Sequence, residues 1–240
     1  MPLSTKRILK QFKYGMYFNG VNDYVYVQYS SSIDVQVFTL IVWAYYIPKS
    51  TSDSYIVFKH NIDHHLSMYV ESNTVIFVGA VTFTDGSTIY GKIDTQYAKS
   101  IANVFRMYTS RYNGTTFDVF IDETKYYIAL PGKTVATGAY PLFIGRRASN
   151  YFHGYIAQVL IYSRALSDSE IQYNYQNPYN PITNGLVLWL QADPKYVKSN
   201  TWIDLSGYGN DGTIYGAQLM QLEKTPARIL NAKRVLGAVR

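Results

Sequence analysis

The sequence predicts an all-β protein in which two antiparallel sheets pack face to face, with one short helix and a basic extension at each end. Runs of β-branched and aromatic residues, such as residues 24–27 and 38–44, recur along the chain, and these residue types suit a pleated surface. The dipeptides Asp85-Gly86 and Asn113-Gly114 each separate two such runs, and both favour a tight hairpin turn. Only 16% of the residues are charged whereas 25 are tyrosines, which are amphipathic and suit β surfaces.

The predicted strands follow one another along most of the chain. The first stretch, residues 16–27, contains a turn at Asn19-Gly20, where glycine can supply a positive φ. Residues 38–44 are apolar on both faces, as expected for a strand between two layers. The later predicted strands are 55–60, 66–71, 74–83, 87–93, 105–112, 116–121, 125–129, 142–146 and 151–162.

One short helix is predicted after the last of these strands. Ser167 can cap its amino end, and Glu170 follows three positions later, which is the spacing of a capping box. The composition agrees with a folded β domain, because 48% of the 240 residues are apolar. The chain has no cysteine, which excludes disulfides and thiolate metal sites. No segment has the unbroken apolar length of a membrane-spanning helix.

Residues 16–27 and 151–171 resemble the laminin-G-like members of the concanavalin A-like lectin/glucanase superfamily. The order and spacing of the other elements extend this resemblance over residues 14–178, through the turn Tyr-Asn-Gly-Thr at 112–115 and the strand Phe-Ile-Gly-Arg at 143–146. The resemblance implies a concanavalin A-like jelly-roll sandwich of two antiparallel sheets. Folds of this kind carry binding, adhesion and a few hydrolytic activities, so the fold by itself leaves the function open.

The segment after this region, residues 179–222, contains a block that is out of place. Residues 185–190 and 202–216 resemble the beginning of a laminin-G-like domain, which in the family stands before the strand that resembles residues 18–24. Three explanations remain open: the block completes its own sandwich, completes that of a neighbouring subunit, or forms a small satellite module. We expect it to complete a sandwich, in cis or in trans, because an unpaired apolar strand would aggregate.

The basic charge of the chain is concentrated at its two ends. The arm at residues 1–13 and the tail at residues 223–240 each carry +4, and the whole chain carries +6, which leaves −2 for residues 14–222. Such ends can bind nucleic acid, an acidic lipid surface or an acidic protein groove, or they simply solubilise the protein. In the tail, the candidate interaction residues are the basic side chains Arg228, Lys233, Arg234 and Arg240.

The pattern of possible catalytic residues favours a protein that is not an enzyme. The glucanases of the superfamily place two carboxylates at alternate positions of one strand, and no such cluster occurs here. One segment resembles a metal site, but a solvated turn is the alternative that we prefer for it. Its residues are His60, Asp63, His64 and His65.

Calcium is the other metal that the resemblance suggests, because many laminin-G-like domains hold calcium at a loop edge. Four oxygen-bearing residues match oxygen-rich positions of the family pattern, and hard cations prefer oxygen ligands. Turn formation in glycine-rich loops is the alternative role for the same side chains. The four residues are Asp23, Asp204, Asn210 and Asp211.

The tyrosine-rich, cysteine-free β domain with basic ends resembles laminin-G-like proteins encoded by viruses of hyperthermophilic archaea. This resemblance implies a structural protein of the virus particle, located in the virion as a capsid, turret or spike component. Its partners would be other virion subunits or further copies of itself, and a glycan or surface-layer protein of the host. A cell-surface carbohydrate-binding adhesin is the alternative, and a divergent glycoside hydrolase is a third hypothesis.

Overall fold

The structure is a sandwich of two large antiparallel sheets, which confirms the predicted fold class. It is a computed structural model of the chain. The residues that it describes are 12–49, 54–59, 64–71, 74–93, 103–122, 124–129 and 133–222. Within these ranges, no helix has both the length and the apolar character that crossing a lipid bilayer requires.

The first sheet contains eight of the described strands, numbered here along the chain. In spatial order it consists of β10 (Thr124–Ala129), β9 (Thr116–Ile121), β8 (Phe105–Tyr112), β3 (Phe38–Tyr46), β14 (His153–Tyr162), β1 (Tyr14–Asn19) and β19 (Gln218–Gln221), with β15 (Leu186–Gln191) as a second partner of β14. The hairpin predicted at Asn113-Gly114 is the β8–β9 pair.

The second sheet contains nine of the described strands. In spatial order it consists of β16 (Val197–Lys198), β17 (Thr201–Trp202), β18 (Gly212–Tyr215), β2 (Tyr24–Val27), β11 (Leu142–Ile144), β4 (Ser54–Lys59), β5 (His64–Glu71), β6 (Thr74–Thr82) and β7 (Thr88–Ile93). Two short strands, β12 (Arg146–Arg147) and β13 (Asn150–Tyr151), form a separate hairpin. The remaining elements are a 3-10 turn at Ser31–Ile33 and the helix α1 (Asp168–Gln176).

The main core lies between the two sheets and follows the two-residue period of the strands. In β2, Val25 and Val27 are fully buried in this core, whereas Tyr24 and Tyr26 point to the other face of the sheet and are half-buried. All nine residues of β3 are buried, because a second apolar cluster covers the outer face of the first sheet.

Helix α1 belongs to this outer cluster, and the predicted capping box is present. The Glu170 amide donates to Ser167 Oγ at 3.2 Å, and the Ser167 amide donates to Glu170 Oε2 at 2.8 Å. Glu170 also pairs with the Arg164 guanidinium, which lowers the pKa of this carboxyl to about 2. In the cluster itself, the ring of Tyr175 stacks on Trp43 with 5.3 Å between their centroids. These contacts fix the helix against the first sheet.

The displaced C-terminal block pairs with strands of its own chain in the structure. β14 is long enough for two neighbours on one edge: β1 pairs with its first half and β15 with its second half. β18 pairs with β2, and β19 pairs with β1, so the block contributes to both sheets. The Leu222 amide donates to the Lys13 carbonyl at 2.9 Å. The two ends of the described chain therefore lie side by side.

Candidate functional site

The outer face of the nine-stranded sheet presents a group of aromatic side chains around an arginine. We call it the aromatic–arginine patch. Strands β2, β11, β18 and the β12–β13 hairpin supply its residues, all of which are exposed or half-buried. They are Tyr24, Tyr26, Phe143, Arg146, Tyr151 and Tyr215.

Strand register brings these rings together from distant parts of the chain. Tyr215 lies directly opposite Tyr24, and Phe143 lies directly opposite Tyr26. The neighbouring inward residues are Val25 and Ile144, which are fully buried in the main core. Since successive side chains on a strand point to opposite faces, anchoring these aliphatic residues forces the rings outward.

The rings of the patch are closely arranged. Tyr24 and Tyr215 stack with 4.6 Å between centroids and only 10° between their planes. Phe143 lies 5.5 Å from Tyr26 and 6.0 Å from Tyr24, tilted against both. Tyr215 is 46% exposed, which is high for a large aromatic ring. The arrangement is a partly open aromatic surface, held from below by the core.

Arg146 lies over this surface. Its guanidinium carbon is 4.7 Å from the Tyr24 centroid, 5.4 Å from that of Phe143 and 5.7 Å from that of Tyr151. The guanidinium therefore makes cation–π contacts with three rings. Its Nε donates to the carbonyl oxygen of Ala148 at 3.0 Å, within the same hairpin.

The chain reaches Arg146 through a turn at Gly145. The sequence predicts one strand over residues 142–146, but β11 ends at Ile144 and a new hairpin begins at Arg146. Gly145 has φ +85°, and a Cβ there would lie 2.5 Å from the ring of Phe18. Glycine allows both the positive φ and the close approach, so the prediction of one continuous strand is wrong for a local steric reason.

Arg147 forms a second arginine–aromatic unit beside the patch. Its guanidinium carbon is 5.0 Å from the Tyr55 centroid and 4.9 Å from that of Phe58, and Nη1 donates to the Tyr55 hydroxyl at 2.7 Å. Phe58 lies opposite Phe143 in the sheet, so the two units are adjacent. Sequence reasoning did not single out either arginine, although the alternation Tyr24-Val25-Tyr26-Val27 already places two tyrosines on one face.

The predicted calcium residues divide into two places. Asp204, Asn210 and Asp211 lie in one loop, where the Asn210 amide donates to Asp204 Oδ2 at 2.9 Å and the Asp204 amide donates to Asp211 Oδ1 at 2.7 Å. Asp23 belongs instead to the β1–β2 turn, and its buried carboxylate accepts from the Asn19 amide at 2.9 Å. Burial raises the pKa of Asp23. No group of three or more histidine, aspartate or glutamate side chains suited to a metal occurs in the described ranges.

The hydrogen bonds of Asp204 leave little room for a metal ion. Its Oδ1 accepts from the amides of Trp189 and Ser206, and its Oδ2 accepts from the Ser206 hydroxyl and the Asn210 amide. Each carboxylate oxygen has about two acceptor positions, so these four donors fill them. Asp204 thus has the turn-forming role that the sequence also allowed. Calcium binding stays a prediction that removal of the metal can test.

Other candidates from the sequence lie outside what the structure describes. The basic tail with Arg228, Lys233, Arg234 and Arg240 falls in residues 223–240, and most of the N-terminal arm falls in residues 1–11. His60 and Asp63 are also outside the described ranges, and the side chains of His64 and His65 are not described. The predictions for these residues therefore stay predictions. Of the tryptophans, Trp43 is fully buried, whereas Trp189 is only partly buried at the rim of the outer cluster.

Solved structures with the same fold include proteins of several kinds. A candidate carbohydrate-binding protein from Bacteroides ovatus has a TM-score of 0.66 at 14% identity, with 88% of this chain and 60% of that chain covered. This chain thus spans somewhat less than two thirds of that protein. A heptameric SAP-like pentraxin from Limulus polyphemus has a TM-score of 0.57 at 13% identity, covering 87% of this chain and 95% of that chain. The binding domain of botulinum neurotoxin DC, in complex with SialylT, has a TM-score of 0.50 at 14% identity. The match covers 78% of this chain and 42% of that chain.

At these identities the similarity concerns the fold. Comparison with curated proteins finds no match. The family model described as the concanavalin A-like lectin/glucanases superfamily matches residues 19–172, which is more than half of the chain. The matched region begins at the last residue of β1 and contains β14 and the strands β2 and β11 of the patch. The chain therefore belongs to the laminin-G-like group of the concanavalin A-like lectin/glucanase superfamily.

Proposed function

We propose that the protein is a carbohydrate-binding module and that the aromatic–arginine patch is its binding surface. The observation that carries this proposal is the parallel Tyr24–Tyr215 stack, which is partly exposed and lies beside a guanidinium. Aromatic rings bind the apolar C–H faces of pyranose sugars, because both surfaces are flat and are only partly hydrated. Tyrosine hydroxyls and the guanidinium can then hydrogen-bond the sugar hydroxyls.

The comparisons support binding as the general role. The Bacteroides ovatus structure is of a candidate carbohydrate-binding protein, and the neurotoxin domain was solved with SialylT. Their folds resemble this one, so a sheet face that holds a sugar is compatible with the architecture. The position of the patch on this chain comes from its own side chains.

We further propose binding rather than hydrolysis at this surface. A glycosidase of the usual kind requires two carboxyl groups within about 5–9.5 Å of each other, on either side of the scissile bond. None of the six patch residues is acidic. The nearest acidic residue along the chain, Asp23, is 5% exposed, and its carboxylate holds the β1–β2 turn.

Replacing Tyr215 or Tyr24 by alanine is expected to weaken sugar binding by about tenfold. The first change removes an exposed ring that would stack on the sugar, and the second removes the ring on which Tyr215 stacks. Binding is measured first on a glycan array and then by calorimetry with the glycans that bind. Tyr173 on helix α1 provides the matched control, because it is 38% exposed on the outer side of the other sheet. Unchanged binding in the Tyr24→Ala and Tyr215→Ala proteins, if both stay folded, would place the sugar elsewhere.

A position on a virus particle is a finer proposal, and what supports it is the charge distribution. The +4 at each end of the chain contrasts with a body that is close to neutral, and basic ends suit contacts with neighbouring subunits, nucleic acid or acidic lipid. We expect the full chain to form defined oligomers that dissociate when residues 223–240 are removed, as measured by light scattering. A full chain that is monomeric at all concentrations would oppose this role.

A further inference from the structure

Arg146 differs from three other arginines of the described residues, which pair with carboxylates. Arg106, Arg111 and Arg164 each pair with a carboxylate of the chain, namely Asp122, Asp118 and Glu170. Arg146 donates only through Nε, to the Ala148 carbonyl, and its two terminal nitrogens make no hydrogen bond or ion pair with any described residue. The side chain is half-buried, so it keeps a positive charge at the surface that the described residues leave unneutralised.

The surrounding rings hold this charge in a defined place. Contacts with Tyr24, Phe143 and Tyr151 fix the guanidinium from three directions, and the Ala148 carbonyl fixes its Nε. A guanidinium is planar and presents paired N–H groups, which match the two oxygens of a carboxylate or the oxygens of a sulfate. Because the group is already held, little side-chain entropy remains to be lost when an anion binds.

The electrostatic surroundings favour the same kind of ligand. Arg147 adds a second guanidinium in the adjacent unit over Tyr55 and Phe58. The six residues of the patch include no acid, so an anion placed there meets the Arg146 guanidinium and no carboxylate from the patch itself. The body of the protein carries −2 overall, so this local positive charge does not follow from its net charge.

We propose that the aromatic–arginine patch selects acidic sugars, with Arg146 binding a carboxylate or sulfate group while Tyr24 and Tyr215 contact the sugar ring. This inference rests on the proposed carbohydrate-binding function and adds the substrate class. Carboxylate and sulfate share the chemistry that the guanidinium recognises, so the test includes both carboxylated and sulfated sugars.

The test compares matched pairs of oligosaccharides that differ only in the anionic group: tetragalacturonate with its methyl ester, and a chondroitin sulfate tetrasaccharide with its desulfated form. Calorimetry measures wild type, Arg146→Gln, Arg146→Lys and the control Lys195→Gln, which removes one exposed positive charge outside the patch. A glycan array with sialylated, uronate, sulfated and neutral members extends the comparison.

We expect wild type to bind an acidic member about tenfold or more tighter than its neutral partner, since hydrogen bonds between charged groups are stronger than those between neutral groups. Arg146→Gln should abolish this preference, and Lys195→Gln should leave it unchanged. Arg146→Lys should retain part of it, because lysine keeps the charge but loses the planar fork. The affinity for acidic sugars should also fall with salt.

The possible failures are distinguishable. Binding of neutral sugars that depends on Tyr215 but not on Arg146 would overturn the acidic selectivity and leave the proposed function intact. Absence of binding to every glycan would overturn both. Equal weakening by Arg146→Gln and Lys195→Gln would show general attraction of charge and would overturn the role of Arg146.

Discussion

A chain that ends at Pro178 is expected not to fold. Removing the C-terminal block takes away β15, which pairs with the central strand β14, and takes β18 and β19 from their pairs with β2 and β1. It exposes the second half of β14 along one edge, and that strand is almost entirely buried in the full chain. An exposed apolar strand edge favours aggregation, so the truncated protein should be insoluble or should bind hydrophobic dyes.

The amount of stabilising free energy lost with the block supports this expectation. Leu186, Val187, Leu188 and Leu190 are each at most 4% exposed, and Trp202 is fully buried. Burying an aliphatic side chain contributes about 1.5–3 kcal/mol, so β15 by itself contributes about 6–12 kcal/mol. A domain is stable by only about 5–15 kcal/mol, so the loss is comparable to the total. Circular dichroism and solubility of the truncated chain measure the result.

A permuted chain provides the control for this experiment. The Leu222 amide bonds to the Lys13 carbonyl, so a short turn can join Leu222 to Phe12 while the chain is opened at Asn184. This protein keeps every strand in its place, and its order matches the one that the sequence resemblance implies for the family. We expect it to fold with a spectrum like that of the full chain. A truncated chain that stayed folded, with cooperative unfolding, would contradict the role of the block.

Replacing Asp204 by alanine is expected to destabilise the protein by about 3 kcal/mol or more. The carboxylate is 8% exposed and accepts from the amides of Trp189, Ser206 and Asn210 and from the Ser206 hydroxyl. A hydrogen bond to a charged group contributes about 1.5–3 kcal/mol, and the donors left behind are partly buried. For a domain of this size the melting temperature should fall by about 6–12 °C.

Asp193→Ala is the matched control, because its carboxylate accepts a single described bond, from the Lys195 amide at 2.8 Å. Its expected cost is about 1 kcal/mol. Melting temperatures of both variants and of wild type are measured with millimolar calcium and with a chelator. We expect calcium to change none of them, because hydrogen-bond donors already occupy the Asp204 oxygens. Stabilisation of wild type by calcium that Asp204→Ala abolishes would instead support the calcium site.

Short sequence patterns correctly predicted those elements whose contacts join residues close together in the sequence. The Asp85-Gly86 turn joins β6 and β7 as predicted, since its conformation is set by glycine and by an adjacent side chain. The capping box of α1 was likewise predictable, because both partners lie within four residues of each other. The break at Gly145 was not predicted, since the close approach of Phe18, which belongs to a different sheet, is not visible in the local sequence.

The candidate site could not be located in the same way. Tyr24 and Tyr215 are far apart in the chain and meet only because β18 pairs with β2. Likewise, alternation showed that Tyr24 and Tyr26 share a face, but not whether another layer covers that face. In the first sheet the corresponding outer face is covered by α1, which is why Trp43 is buried there.

The fold class and the order of the main strands could be predicted from the sequence, because two-residue alternation, turn residues and a capping box act over short distances. The family was inferred from the resemblance of particular segments. The pairing of the displaced block, the open sheet face and the rings around Arg146 could be seen only in the folded chain. Those outcomes depend on strand register and on contacts between residues remote in sequence, where the energy of a pair exists only after both sheets have formed.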